Sequence, residues 1–331
     1  MRRVAALLAA ALPATALAAC GGGGAEPGAP NGATLVLDFQ PNAVHAGIYA
    51  ADAEGDFKDE GIDLHIQEPS TTADSAKLLE TGRADFAIMD INDFGIARER
   101  GLDLVAVAAI VQRPLASVIA RDPDEIRTPA DLAGKTIGVT GVPSDDAVLD
   151  TVLRSAGLDP SDVHRVTIGF NAVADLAAGK VDAATAFWNA EGVQLRQMGI
   201  PTHEFRVDQF GAPRYPELVV ATRANTAQRA SDFLDALQQG YRVLGKGSQS
   251  ALDALLGAVP DLDRQQQQAQ LNALTSAKAF SVSNEGGPPT AMGRLGRYAA
   301  WIEWARQNGL VGKSAEEQID AGFAYPGARL R

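Results

Sequence analysis

The chain has 331 residues, 46% of them hydrophobic and a single one cysteine, with a formal net charge of −12. That length supports two lobes with separate cores, and one cysteine rules out an intramolecular disulfide, so packing must hold the fold. The acidic balance argues against nucleic acid or an anionic membrane surface as the main partner, and it says little about a ligand.

The chain opens on a leader. Arg2 and Arg3 precede an apolar stretch from Val4 to Ala19, and Leu17-Ala18-Ala19 leads into Cys20, the lone cysteine. A charged start, a short apolar run and a small-residue cleavage site describe a secretory signal peptide over residues 1–19. The run falls short of the roughly 20 apolar residues that span a bilayer. Its ending resembles the bacterial lipobox, which implies that Cys20 is lipidated and anchors an extracytoplasmic protein to the cell membrane. Residues 20–32, rich in Gly, Ala and Pro, read as a flexible tether. No later segment is apolar enough to span a bilayer.

Beyond the tether, β-rich runs alternate with helical patterns. Strands are predicted over 34–39, 63–67, 86–89 and 104–111, with helices over 44–54, 72–81 and 91–100 between them. The series repeats with strands over 136–140, 164–168 and 183–187 and helices over 144–155, 172–178 and 191–198. This alternation predicts an α/β fold with mainly parallel sheets. From Thr226 the pattern turns helical, and Phe233, Leu234, Leu237, Tyr241 and Leu244 share one face at helical spacing, as a core stripe does.

A weak internal repeat pairs Leu79-Glu-Thr-Gly82-Arg83-Ala-Asp85 with Leu176-Ala-Ala-Gly179-Lys180-Val-Asp182. A glycine that ends a helix just before a strand explains each copy. The repeat therefore points to architecture: two similar lobes, the first over 33–120 and completed by 218–331, the second over 121–217. Crossings are expected near Ala120-Arg121 and Leu218–Thr222. Two crossings make a hinge, and a cleft between lobes is a natural ligand site.

Enzyme motifs fail on inspection. Gly134-Lys135-Thr136 ends like a P-loop, but Pro129 stands at the required earlier glycine and a strand follows where a helix is needed. No Gly-x-Ser-x-Gly occurs. His45, His65, His164 and His203 lack metal-ligand spacing, no Asp/Glu pair stands out as an acid–base couple, and no cofactor is expected.

Parallel α/β sheets bind ligands at the carboxyl ends of their strands. In the first lobe those ends carry Phe39, Asn42, His45, Asp90 and Asn92. In the second they carry Ser144, Trp188, Asn189 and Glu191, with Tyr215 and Glu217 near the return crossing. Aromatic, amide and carboxylate groups together suit a flat heteroaromatic ligand, stacked on its faces and read along its edge. Phe39, Trp188 and Tyr215 are the expected stacking residues. Asn42, Asp90, Asn189, Glu191 and Glu217 are the expected edge contacts, with His45 bonding either the ligand or its own loop. Ser144 either caps its helix or meets a polar ligand atom at the helix N-terminus.

The segments Leu37-Asp-Phe-Gln-Pro-Asn42-Ala-Val-His45 and Gly55-Asp-Phe-Lys58-Asp-Glu60-Gly61-Ile-Asp63 resemble the opening of the thiamine-pyrimidine binding family. That family includes bacterial binders of formylaminopyrimidine and hydroxymethylpyrimidine and the related fungal pyrimidine synthase. Ser70, Gly82-Arg-Ala-Asp85-Phe, the run Thr128 to Gly138 and Gly179-Lys-Val-Asp182-Ala continue the likeness, and these later motifs also occur in sulfonate and nitrate binders. The resemblance implies a two-lobed periplasmic-binding-protein type II fold that closes on a thiamine-precursor pyrimidine. It also implies a monomer that delivers this ligand to an ABC permease. Riboflavin, another heterocycle or a sulfonate are the alternative ligands, and Phe39 departs from the Trp that relatives often carry. The synthase carries a cofactor-linked Lys and a reactive His where this chain has Met89 and Asp93, and its cysteine-rich run has no counterpart near Arg214 to Leu218. Without an amine at position 89 no Schiff base to pyridoxal phosphate can form there.

Overall fold

The computed structural model describes residues 31–69, 74–246, 248–280, 295–314 and 317–318. The leader, Cys20, most of the tether and Ser70 lie outside the described residues. The tether ends earlier than expected, because Asn31 and Gly32 already pair with β2.

Among the described residues, ten strands form two five-stranded sheets. The first holds β1 (Asn31–Val36), β2 (Ile62–Gln67), β3 (Phe86–Asp90), β4 (Leu104–Val111) and β10 (Leu218–Arg223), in the order β2-β1-β3-β10-β4. The second holds β5 (Ala116–Arg121), β6 (Thr136–Val139), β7 (His164–Thr167), β8 (Ala183–Phe187) and β9 (Thr202–Arg206), in the order β7-β6-β8-β5-β9. The two orders match position for position. β1 and β6 pair in parallel with their neighbours, while β10 and β5 run antiparallel to theirs.

Two expectations change here. The sheets are mixed rather than mainly parallel, because each takes in the strand that enters from the other lobe. The segments read as crossings near 120 and 218 are themselves those strands. The chain passes between the sheets at 112–115 and again at 207–217, so β5 belongs wholly to the second lobe.

The strands bury both faces, and side chains alternate between them. On the first sheet Leu35, Leu37, Ile88 and Val220 face one core with the helices α1 (Ala46–Glu54), α8 (Ala230–Lys246), α9 (Ser248–Ala258) and α10 (Arg264–Ser276). Val36, Ala87, Met89 and Val219 face the other, with α3 (Asp74–Glu80), α4 (Ile91–Glu99) and α11 (Leu295–Gln307). The second sheet is covered on one side by α5 (Pro143–Ser155) and on the other by α6 (Ala172–Ala177) and α7 (Glu191–Gln197). The predicted stripe on α8 is core: Phe233, Leu237 and Tyr241 are fully buried. Tyr241 donates its hydroxyl to the Val44 carbonyl at 2.8 Å, tying α8 to the loop after β1.

The internal repeat has a structural task in both lobes. Gly82 and Gly179 take left-handed φ of 71° and 67° just past a helix end, a conformation glycine adopts without Cβ strain. Three residues on, Asp85 accepts the Thr34 amide at 2.9 Å and Asp182 accepts the Thr136 amide at 2.8 Å. Each Asp thus fastens the start of one strand to its parallel neighbour, β3 to β1 in the first lobe and β8 to β6 in the second.

Candidate functional site

The carboxyl ends of β1, β3, β6, β7 and β8 converge on one cleft between the lobes. Its lining includes Asp38, Phe39, Ser75, Met89, Asp90, Asn92 and Asp93 from the first lobe. From the second come Ser117, Thr140, Ser144, Asp145, Phe170, Thr185, Phe187 and Glu191. The enclosed space is about 100 Å³. Phe39 and Phe170 meet across the mouth with ring centroids 5.4 Å apart, so the lobes touch over the cleft.

Among the carboxylates of the lining, Asp38, Asp90, Asp145 and Glu191 are each held by hydrogen bonds. Asp38 meets His45 Nε2 at 2.8 Å. His45 is buried, and its Nδ1 accepts the Asn42 amide at 3.2 Å, so Nε2 carries the proton and donates to Asp38. Asp90 caps α4, accepting the Asn92 amide at 2.6 Å. Asp145, in the first turn of α5, gathers the Thr140 amide, the Thr140 hydroxyl and the Thr185 hydroxyl at 2.6–2.8 Å through one oxygen. Glu191 accepts the Phe187 amide at 3.0 Å, closing the turn before α7. No lysine, arginine or histidine among the described residues lines the space.

Crowding of like charge in a poorly solvated cleft raises carboxyl pKa values. Burial, and then Asp38, push Asp90 up to about 6, against the lowering pull of its own hydrogen bonds. Burial, then Asp90, Asp145 and Asp38, push Asp93 up to about 8. Burial and Asp145 also raise Glu191.

Of the expected site residues, Phe39, Asp90, Asn92, Ser144 and Glu191 line the cleft. The others do not. Trp188 is 0% exposed beneath the hinge, its indole N–H donating to the Pro114 carbonyl at 3.0 Å and Arg206 stacked on its face at 4.1 Å. It lies in the turn beyond β8, where the chain leaves the strand at Phe187 and enters α7 at Glu191. Tyr215 is fully buried against Trp304, and Asn189 is buried beside Trp188. Asn42 caps its own turn through the Val44 amide, and His45 acts through Asp38. Glu217 is fully buried and holds the two crossings together: its Oε2 accepts the Leu115 amide at 3.0 Å. Burial, and then the neighbouring Asp90, push its carboxyl well above the usual carboxylate range.

Asp38, Ser75, Asp93, Ser117, Thr140, Asp145, Phe170, Thr185 and Phe187 also line it without being among the expected contacts. A signal existed for two of them. Asp93 and Asp145 stand in the first turn of helices that directly follow strand ends, where acidic side chains are favoured by the helix dipole and face a cleft by position.

The NMT1/THI5 like family matches residues 42–249. The formylaminopyrimidine-binding protein of Halalkalibacterium halodurans is 32% identical over 227 residues, covering 67% of this chain and 69% of that protein. A Legionella pneumophila protein named 4-amino-5-hydroxymethyl-2-methylpyrimidine phosphate synthase is 26% identical over 69% of this chain and 74% of its own. Among solved structures, the periplasmic aliphatic sulphonate binding protein SsuA from Escherichia coli aligns with a TM-score of 0.68 at 16% identity, over 88% of this chain and 98% of that one. The two-lobed periplasmic-binding-protein fold expected from the sequence is the fold of this chain.

Proposed function

The chain belongs to the NMT1/THI5-like family, and from that premise we propose that it is an extracytoplasmic solute-binding protein. In this reading it closes on a thiamine-precursor pyrimidine and hands it to an ABC permease. The observation that carries the proposal is the cleft itself: three phenylalanines and a ring of carboxylates around about 100 Å³, at the strand ends of both lobes. A 4-aminopyrimidine presents flat faces to such rings and donor groups to such acceptors. The named ligand of the H. halodurans relative belongs to this chemical class.

The alternative ligands fit less well. A sulfonate would bring a negative charge into a space lined by Asp38, Asp90, Asp93, Asp145 and Glu191, with no cation among the described lining residues, and like charges there repel. Riboflavin, with three fused rings and a ribityl chain, would need the lobes to stand further apart than a single ring does. The synthase reading requires an amine for a cofactor, and the position aligned with it is Met89, whose thioether cannot form a Schiff base. Binding without turnover is the reading these residues support.

Calorimetric titration with an aminopyrimidine, riboflavin and an alkanesulfonate tests the proposal. Only the pyrimidine is expected to bind and to raise the melting temperature, since a ligand of the folded state stabilises it. Tight binding of the sulfonate with none of the pyrimidine would overturn the reading. Phe39→Ala removes one face of the stack, which is worth about 1–3 kcal/mol for a base on an aromatic ring, so affinity should fall roughly 5- to 150-fold.

We extend the proposal to the anchor, on the strength of Leu17-Ala18-Ala19-Cys20. Lipid on Cys20 would hold the protein to the cell membrane. Cys20→Ala is expected to shift the protein from the membrane fraction to the soluble fraction after a salt wash; a variant that still sediments with membranes would exclude this anchor.

A further inference from the structure

The acids of the cleft outnumber what a neutral aminopyrimidine needs. Helix N-termini account for some of them, since a carboxylate in a first turn gains about 0.3–1 kcal/mol from the dipole. Asp145 fits that description, with three hydrogen bonds to one oxygen. Asp93 does not: its carboxyl makes no hydrogen bond among the described residues and faces Asp90, Asp145 and Asp38, with Arg100 as the opposing charge. Asp90 faces Asp38 and Glu217. Asp208 near Glu217 is ion-paired to Arg113 at 2.6 Å, and His45 serves Asp38. No group of His, Cys, Asp and Glu among the described residues is arranged to hold a metal ion. Aromatic faces complete the enclosure, and a ring quadrupole attracts a cation placed over it.

We propose that the cleft takes its ligand as a cation, a flat nitrogen heterocycle carrying one positive charge, and gives up a proton as that cation enters. The inference rests on the reading above for the location of the site and adds the charge state of what it binds. In the empty cleft the facing carboxyls cannot all ionise, so one proton is retained among them. Asp93, raised to about 8, is the main holder. A cation supplies the missing positive charge, and the proton leaves to solvent. An aminopyrimidine that is neutral in solution reaches the same state differently: the proton passes from the carboxyl to a ring nitrogen and nothing is released.

The sign of the stability change follows. A carboxyl whose folded pKa lies above its unfolded value of about 4 contributes stability that is full below that value. This contribution is lost as the pH rises through about 8. The empty protein should therefore melt at a higher temperature when the pH is lowered from 8.5 to about 6, and Asp93→Asn should flatten that dependence.

Three probes decide between outcomes: an N-methylated 4-aminopyrimidinium, permanently cationic; the parent aminopyrimidine; and the matching aminobenzene, neutral at these pH values. Calorimetry in two buffers of different ionisation enthalpy gives the protons released. For the permanent cation we expect release of close to one proton between pH 6 and 8, with affinity rising about tenfold per pH unit and levelling above. Asp93→Asn should remove both effects. The aminobenzene should bind more than about tenfold weaker than the aminopyrimidine, lacking any charge-assisted bond. Equal binding of the aminobenzene and the aminopyrimidine, with no proton release by the cation, would overturn the inference while leaving a pyrimidine site intact. Proton-releasing binding of the cation, with no binding of the aminopyrimidine, would support the inference and overturn the pyrimidine reading.

Discussion

Trp188→Ala is expected to lower the free energy of unfolding by about 3–5 kcal/mol, the range for removing a large aromatic side chain from a packed core. The indole is 0% exposed and packs with the first lobe's core although its backbone extends β8 of the second. Two further interactions go with it. Its N–H satisfies the Pro114 carbonyl in the first crossing, and its face carries the Arg206 guanidinium, an arrangement worth about 0.5–2 kcal/mol. Urea unfolding gives the measurement. Trp188→Phe separates the parts, since it keeps an aromatic ring and loses the hydrogen bond, for an expected cost of about 1–3 kcal/mol. A Trp188→Ala protein as stable as the parent, with ligand binding lost, would return this residue to the cleft.

Gly240→Ala is expected to be as damaging, at more than about 3 kcal/mol, the upper side of what overpacking costs. Here α8 crosses α1 so closely that a Cβ at Gly240 would stand 1.9 Å from the Gly47 carbonyl oxygen and 2.8 Å from the Ala51 amide nitrogen. Both obstacles are helix backbone and cannot swing aside. The helices must separate, and the Tyr241 bond to Val44 separates with them. Gly257→Ala is the control. That glycine lies in α9, a Cβ there meets nothing within 4 Å, and the change should stabilise by about 0.4–1 kcal/mol through the unfolded chain. Equal melting of the two variants would show that the crossing tolerates the methyl group.

The sequence made the alternating elements legible because their period is local. The strands expected over 104–111 and 183–187 coincide with β4 and β8. The helices expected over 91–100 and 191–198 differ from α4 and α7 by one residue each. The strands β5, β9 and β10 escaped notice. β5 and β10 fall where the sequence reading places the crossings between lobes. β9 has a mostly half-buried, polar composition that sheds no clear period.

Within the site the outcome divides the same way. Phe39, Asp90 and Glu191 line the cleft because strand ends and helix starts place them there. Trp188, Tyr215 and Glu217 look like ligand contacts by type, but they support the hinge, and only tertiary packing separates the two roles. The strand period does not separate them either, because Thr185, Ala186 and Phe187 line the cleft in succession and Trp188 stands in the turn beyond β8.

The position of β10 bears on the order in which the protein can be completed. Residues 116–206 hold every strand of the second sheet, so that lobe finds all its partners within one continuous stretch. The first sheet begins 85 residues earlier in the chain, at Asn31, yet needs β10 between β3 and β4. Until the ribosome has passed Arg223, β3 and β4 each present an unpaired edge, the kind of surface through which nascent chains aggregate. The lobe begun first is therefore the lobe finished last. Any chain ending before Leu218 is left with two open strand edges where the finished molecule has the middle of a sheet.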